Sequence, residues 1–268
     1  MKPSGNTIFI TGGTSGIGRG IAEAFHRLGN QVIISGRRKA LLDDVTKANP
    51  GMRGVELDIQ NPQRIKAVAA QLAQDFPALN VLFNNAGIMP FDDAAGEIDD
   101  ADAMATVTTN LLGPVRMTSA LLPHLKQQKE AVVIHNSSIL AFVPLASTAV
   151  YSATKAAMHS YALSQRFMLA DSGVRVVEIS PPWVDTDLVY KSGDTRAMPL
   201  ADFVAATMRG LASGRDEVYV EQIQALRDNP GSGEHAFVNA FNQSLKENPI
   251  PVGHSPVAAN RAVAPRSP

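Results

Sequence analysis

The 268-residue chain contains no cysteine, which excludes disulfides, thiol nucleophiles and thiolate metal sites. It also lacks an excess of either charge. Its 24 basic and 25 acidic residues give a formal net charge of −1, so no polyanion and no nucleic acid is expected as a partner. No run approaches the roughly 18 apolar residues of a membrane span. Met1-Lys2-Pro3-Ser4-Gly5 leads straight into a strand-like run without the apolar stretch of a signal peptide. The expectation is a soluble cytoplasmic protein with no membrane partner. Six histidines are present, but none stands at His-x-x-x-His or a similar spacing, so no metal site is expected. His135, in an apolar run beside Asn136, reads as a core or strand-end residue.

What is present is enough apolar material, 45% of residues, to bury a sizeable core in one large α/β domain. Strand-like runs at Thr7–Ile10, Gln31–Ser35, Val55–Asp58, Val81–Asn85, Ala131–Asn136, Val174–Ile179 and Glu217–Val220 are separated by helical stretches. The helices are read from the glycine turn to Leu28, then over Lys39–Ala48, Pro62–Asp75, Asp99–Asn110, Leu111–Gln127, Tyr151–Ala170 and Ala201–Leu211. Strict alternation predicts a doubly wound parallel sheet of about seven strands with helices on both faces. Ligands then sit beyond the carboxyl ends of the strands. Residues 1–226 read as this single domain, and 227–268 as an extension: a Pro/Gly linker, a short helix over Glu234–Lys246 and a mobile Pro/Ala-rich tail.

Two stretches carry chemistry. Thr11-Gly12-Gly13-Thr14-Ser15-Gly16-Ile17-Gly18 joins the first strand to the first helix. A glycine turn opening a helix presents backbone N–H groups and the positive end of the helix dipole to a phosphate. A purely structural glycine turn is the bland alternative. The second stretch is Tyr151-Ser152-Ala153-Thr154-Lys155, in which Tyr151 and Lys155 lie one helical turn apart on one face. An ammonium beside a phenol favours phenolate and lowers a pKa of about 10, making tyrosine usable as a general acid or base. Taken alone, that spacing also fits an ordinary helix face. Ser138, thirteen residues upstream at the end of an apolar run, is the companion that favours chemistry.

Together these motifs resemble the short-chain dehydrogenase/reductase superfamily, over about Asn6 to Gln222. The resemblance implies a Rossmann-like fold and a cofactor turn at Gly12, Thr14, Ser15, Gly16, Ile17 and Gly18. Asp58 and Ile59 fall where the family contacts adenine, and Asn85-Ala86-Gly87 follows Asn84 as its fourth-strand motif. Asn110, Ser138, Tyr151 and Lys155 stand in the order of its catalytic tetrad. It implies that Tyr151 exchanges a proton with the substrate oxygen while hydride passes to or from nicotinamide. Lys155 would lower the tyrosine pKa and bind the nicotinamide ribose, Ser138 would polarise the carbonyl, and Asn110 would hold a relay water. A structural amide is the bland reading of Asn110. Pro181, Val184 and Thr186 would border the nicotinamide. Pro182 replaces the family's usual glycine and stiffens that turn. The double proline, Asn110-Leu111-Leu112-Gly113-Pro114 and Ala141-Phe142-Val143-Pro144-Leu145 resemble a bacterial branch labelled after the D-alanyl-lipoteichoic-acid cluster.

The second strand ends in Gly36-Arg37-Arg38 with no carboxylate. That ending favours the 2′-phosphate of NADP(H), with Arg37 the main contact and Arg38 its neighbour. Met89, Phe142, Val143, Leu145, Trp183, Tyr190 and Met198 are expected to line an apolar pocket for a hydrophobic ketone, aldehyde or secondary alcohol. Trp183 could equally be a packing residue. Val184 to Pro199, carrying Gly193, is expected to act as a lid. A homodimer or homotetramer is expected from the broad apolar helices at Leu111–Gln127 and Tyr151–Ala170. The competing readings are an NADP-binding sensor with the same fold and little turnover, and a dehydratase or epimerase using the same Tyr–Lys pair.

Overall fold

A computed structural model describes residues 1–188 and 194–228, with Gly233 and Glu247. Its strands are β1 (Thr7–Ile10), β2 (Gln31–Gly36), β3 (Arg53–Glu56), β4 (Leu79–Asn84), β5 (Ala131–Asn136), β6 (Val174–Ile179) and β7 (Glu217–Val218). They pair in the order β3-β2-β1-β4-β5-β6-β7, and every pairing is parallel. Between them run α1 (Gly16–Arg27), α2 (Lys39–Ala48), α3 (Pro62–Asp75), α4 (Asp100–Val107), α5 (Gly113–Leu125), α6 (Ala149–Met168) and α7 (Leu200–Ala212). A short α8 (Gln224–Arg227) follows β7.

The strand period of two divides the core. Ile8, Ile10, Ile34, Phe83, Ile134 and Ile179 face one side, where Ile21 and Phe25 of α1 and Phe203 of α7 cover them. Phe9, Ile33, Leu82, Val133 and Val176 face the other, beneath Ile65 and Leu72 of α3 and Met117 and Leu121 of α5. Burying one such Ile or Phe side chain contributes about 1.5–3 kcal/mol. Local signals set the helix ends: Asn61 caps α3 through Arg64 N with Pro62 in the first turn, and Gly29, at φ +80, releases the chain after α1. The sheet order reverses between β1 and β4, which opens a crevice at their carboxyl ends.

Several boundaries differ from the sequence reading by one to three residues, and two of the differences lie close to the site. The third strand lies at Arg53–Glu56 rather than Val55–Asp58, because Leu57 N already bonds the carbonyl of Gly36 where β2 ends. The two helices expected over Asp99 to Gln127 are α4 and α5, but they do not meet at Asn110. A single π turn, Thr108–Leu112, joins α4 to α5, and such turns occur often at functional sites.

By internal contacts the chain forms two compact units, Met1–Gly231 and Ser232–Pro268. Arg227, which the sequence reading assigns to the extension, is buried in the first unit. The expected helix at Glu234–Lys246 and the Pro/Ala-rich tail lie outside the described residues. No helix among the described residues is long and apolar enough to cross a membrane.

Candidate active site

The turn after β1 is locked to the ends of β4 and β5. Thr11 Oγ1 accepts from the N–H groups of Asn85 and Ala86 at 3.0 and 3.1 Å. Asn85 Nδ2 donates to the carbonyls of Thr11 and Gly12, and Asn136 Nδ2 donates to Asn85 Oδ1 at 3.1 Å. Glycine is required in this lattice. A Cβ on Gly18 would stand 2.3 Å from both Gly12 O and Asn85 Nδ2. Gly12 has φ +67, and a Cβ there would meet Ala86 Cα at 2.9 Å. The helix α1 starts at Ser15 without a side-chain cap and without an acidic residue in its first turn. Its leading N–H groups and positive dipole end are therefore left for an anion to engage.

A cavity of about 1000 Å³ opens there. The expected cofactor residues Gly12, Thr14, Ser15, Gly16, Ile17, Gly18, Arg37, Arg38, Asp58, Ile59, Asn85, Ala86, Gly87, Pro181, Val184 and Thr186 all line it. Tyr151, Lys155 and Ser138 line it too. Arg37 and Arg38 are exposed, and their side chains have no hydrogen bond or ion pair among the described residues. Asp58 shapes its own turn, accepting from Gln60 N at 3.0 Å. A glycine cradle with uncapped N–H groups, and two uncommitted guanidiniums further along the cavity, fits a phosphorylated dinucleotide.

At the other end, Tyr151 occupies the first turn of α6 and is buried. Ser138, at the mouth of β5, is close enough to the phenol to hold its pKa down, and its hydroxyl accepts from Leu140 N at 3.1 Å. Lys155 donates from Nζ to the Asn136 carbonyl at 2.7 Å, and Nζ stands 5.4 Å from the Tyr151 ring centroid. The pKa direction expected for Tyr151 is reversed. Burial pushes the phenol up to about 12, with the Ser138 hydroxyl opposing the rise. Burial likewise brings the ammonium down to about 8, with the Glu178 carboxylate opposing that fall. The two groups share a face as expected, but burial is the largest cause of both shifts. Tyr151 thus holds its proton at neutral pH, and Lys155 carries a charge that little is needed to remove.

Asn110 does not line the cavity; it stands one layer behind. Its Oδ1 accepts from Ile88 N at 2.9 Å, and its Nδ2 donates to Ile88 O at 2.9 Å and Thr154 Oγ1 at 3.3 Å. The carboxamide thereby clamps both backbone groups of Ile88. The π turn aims its side chain there.

Of the expected substrate wall, Met89, Leu145 and Trp183 line the cavity. Phe142 and Val143 do not. Phe142 is buried against His159 with ring centroids 4.6 Å apart, and Val143 packs on the same core. The residues following Ser138 form a 3₁₀ turn, Ile139–Ala141, which carries these two side chains inward. Met198 also packs on the core, and it fastens the base of the following loop by bonding the carbonyl of Trp183 and the N–H of Asp185. Tyr190 and Gly193 lie outside the described residues. The sequence reading missed Pro90, Phe91 and Leu188 in the lining; the apolar run Ile88-Met89-Pro90-Phe91 after Gly87 was the available signal.

It also missed a buried ion network beneath α6. His159 lies one turn beyond Lys155 on the Tyr151 face, and its Nδ1 is 2.7 Å from Glu178 Oε2. Both residues are buried. Burial works to raise the Glu178 pKa, but the hydrogen bond and charge of His159, helped by Ser137 and Arg166, hold it below the usual value of 4.5. Arg227 pairs with Glu217 and lies 4.4 Å over the Phe142 ring. Ligand-type atoms of His159, Glu178 and Glu217 come within 4.8 Å of one another. The Arg227 guanidinium already supplies Glu217 with a positive charge, and His159 engages Glu178, so the cluster reads as paired ions. A lone histidine in a helical stripe gave no sequence signal for this.

A doubly wound parallel sheet, a glycine cradle at its switch point and a Ser–Tyr–Lys cluster in one cavity define a short-chain dehydrogenase/reductase. Residues 6–197 match the short chain dehydrogenase family, and the chain belongs to that family of oxidoreductases. It is 38% identical over 237 residues to "Uncharacterized oxidoreductase DltE" of Bacillus subtilis (strain 168), covering 85% of this chain and 93% of that protein. This similarity puts the chain in the DltE-like branch. It is 32% identical over 235 residues to "Serine 3-dehydrogenase" of Rhizobium radiobacter, covering 83% of this chain and 94% of that one. Among solved structures, a short chain dehydrogenase from Burkholderia cenocepacia J2315 in complex with NADP superposes with a TM-score of 0.77. That pair is 28% identical, covering 94% of this chain and 100% of the other.

Proposed function

We propose that the protein transfers hydride between NADP(H) and a hydrophobic ketone, aldehyde or secondary alcohol, with Tyr151 as general acid and base. The observation that carries this reading is the buried phenol of Tyr151, which shares the lining of the large cavity with Ser138 and Lys155. Nicotinamide supplies or accepts the hydride. In reduction Ser138 donates toward the carbonyl oxygen and steadies its developing charge. Tyr151 gives that oxygen its proton, and the Lys155 ammonium stabilises the phenolate left behind. In oxidation the same groups run in reverse. Met89, Phe91, Leu145 and Trp183 give the cavity an apolar wall, which favours an apolar substrate over a sugar phosphate. A cofactor-oxidation assay over a panel of carbonyls tests the reading. Turnover of apolar ketones or aldehydes is expected, and cofactor binding without turnover on any carbonyl would move the assignment to a sensor.

NADP(H) is favoured over NAD(H) by Arg37 and Arg38 and by the absence of a carboxylate at Gly36. The NADP complex of the Burkholderia relative supports the same choice. Losing one charge-assisted contact costs about 1.5–3 kcal/mol. Arg37→Ala is therefore expected to weaken NADPH about 10- to 150-fold while leaving NADH kinetics almost unchanged. Equal efficiency of the wild type with NADH and NADPH would sink the assignment.

We further propose that the protein works as a dimer or a dimer of dimers, through α5 and α6. Ala153, Ala156 and Ser160 are exposed along α6, and small side chains allow close helix approach. Light scattering at micromolar concentration should give at least twice the chain mass; a monomer would decide against pairing.

A further inference from the structure

We propose that Asp92 is a positioning residue whose carboxylate, clasped on the first two N–H groups of α6, sets the cavity wall Met89-Pro90-Phe91 against Tyr151. The proposal rests on the functional reading above. α6 carries Tyr151 in its first turn, yet it has no cap of its own. Thr148 at its N-cap makes no side-chain capping bond and donates its hydroxyl instead to the Leu145 carbonyl. The cap comes from far along the chain. Asp92 Oδ1 accepts from Ala149 N and Oδ2 from Val150 N, each at 2.8 Å. The Asp92 N–H answers by donating to the Ser147 carbonyl at 3.0 Å. The residue after Val150 is Tyr151.

The other end of the same segment is fixed as well. Asn110 holds both backbone groups of Ile88 at 2.9 Å. Ile88 to Asp92 is therefore a short strap tied at each end, and the three residues between the ties all line the cavity. Phe91 is 64% exposed and has little packing to hold it once a tie is cut. A carboxylate fits this post because it offers an acceptor to each of two adjacent N–H groups and a negative charge to the positive end of a 20-residue helix. Without it the wall would pivot about Ile88, the first turn of α6 would fray, and the substrate carbonyl would lose its register with the phenol.

Asp92→Ala tests this, with Asp92→Asn as the conservative variant that keeps one acceptor. A misplacement of about 1 Å costs about 10²-fold in rate, and that is the fall in kcat/KM expected for Asp92→Ala on the best carbonyl of the panel. NADPH affinity should stay within about twofold, because the cradle lies at the other end of the cavity. Asp92→Asn should fall between the alanine variant and wild type, and it carries the test if the alanine variant does not fold. Hydrogen exchange gives a readout independent of turnover: amides of residues 88–92 and 149–151 should exchange faster in Asp92→Ala, with α3 and β1 unchanged. Unchanged exchange there would overturn the clasp. A kcat/KM within about threefold of wild type, or a parallel loss of NADPH affinity, would overturn the positioning role. If the wild type turns over no carbonyl, the functional reading fails, and the exchange comparison still decides the clasp.

Discussion

Tyr151→Phe is expected to lower kcat about 10²- to 10⁴-fold while NADPH affinity remains within about twofold, since positioned proton transfer contributes on that scale. The substitution removes one oxygen and leaves the ring in its buried place. The phenol is held to about 12 in the structure, so at neutral pH nearly every molecule carries the proton that reduction must deliver. The lysine sets the upper pH limit. Its pKa of about 8 means the ammonium discharges as pH rises past that value. Its attraction for the developing phenolate disappears with it. The reduction rate should therefore fall above about pH 8, and a rate flat to pH 10 would contradict the pairing. A Tyr151→Phe enzyme within a few-fold of wild type would remove tyrosine from the mechanism.

The other large effect is structural. His159→Ala should destabilise the fold by about 3–5 kcal/mol, the cost of stranding a buried charge without its partner. Glu178 has no exposure to solvent, and the deletion leaves its carboxylate facing the space of the lost imidazole. The sign with pH follows from the depressed Glu178 pKa. Its contribution is fully present above the ordinary carboxylate value and is lost as pH falls through the folded value. Chemical denaturation at pH 7 should show the loss, and the difference between wild type and His159→Ala should shrink in acid. Stability unchanged at pH 7 would mean the pair carries no net weight.

Local patterns carried most of the architecture. The bounds of β1, α2, α3, β5 and β6 follow from apolar runs closed by Asn, Pro and Gly, since those residues end elements through backbone geometry that needs no distant contact. The glycine cradle and the Tyr151–Lys155 face were equally legible, because each is a spacing along the chain. Asn110 was legible as a residue and not as a contact; its clamp on Ile88 depends on a π turn that no periodicity announces.

Sequence alone determined the order of strands and helices, the family, and the expected cofactor residues that line the cavity at the strand ends. Tertiary structure decided what depends on burial and on contacts between distant segments. Burial moved the phenol upward where adjacency to a lysine predicted a fall. A 3₁₀ turn took Phe142 from the expected pocket wall into the core. Asp92 met α6 and Glu178 met His159 across the fold. The reason is physical: spacing fixes which face of an element a side chain occupies, but its dielectric surroundings and partners are set by what the rest of the chain packs against it.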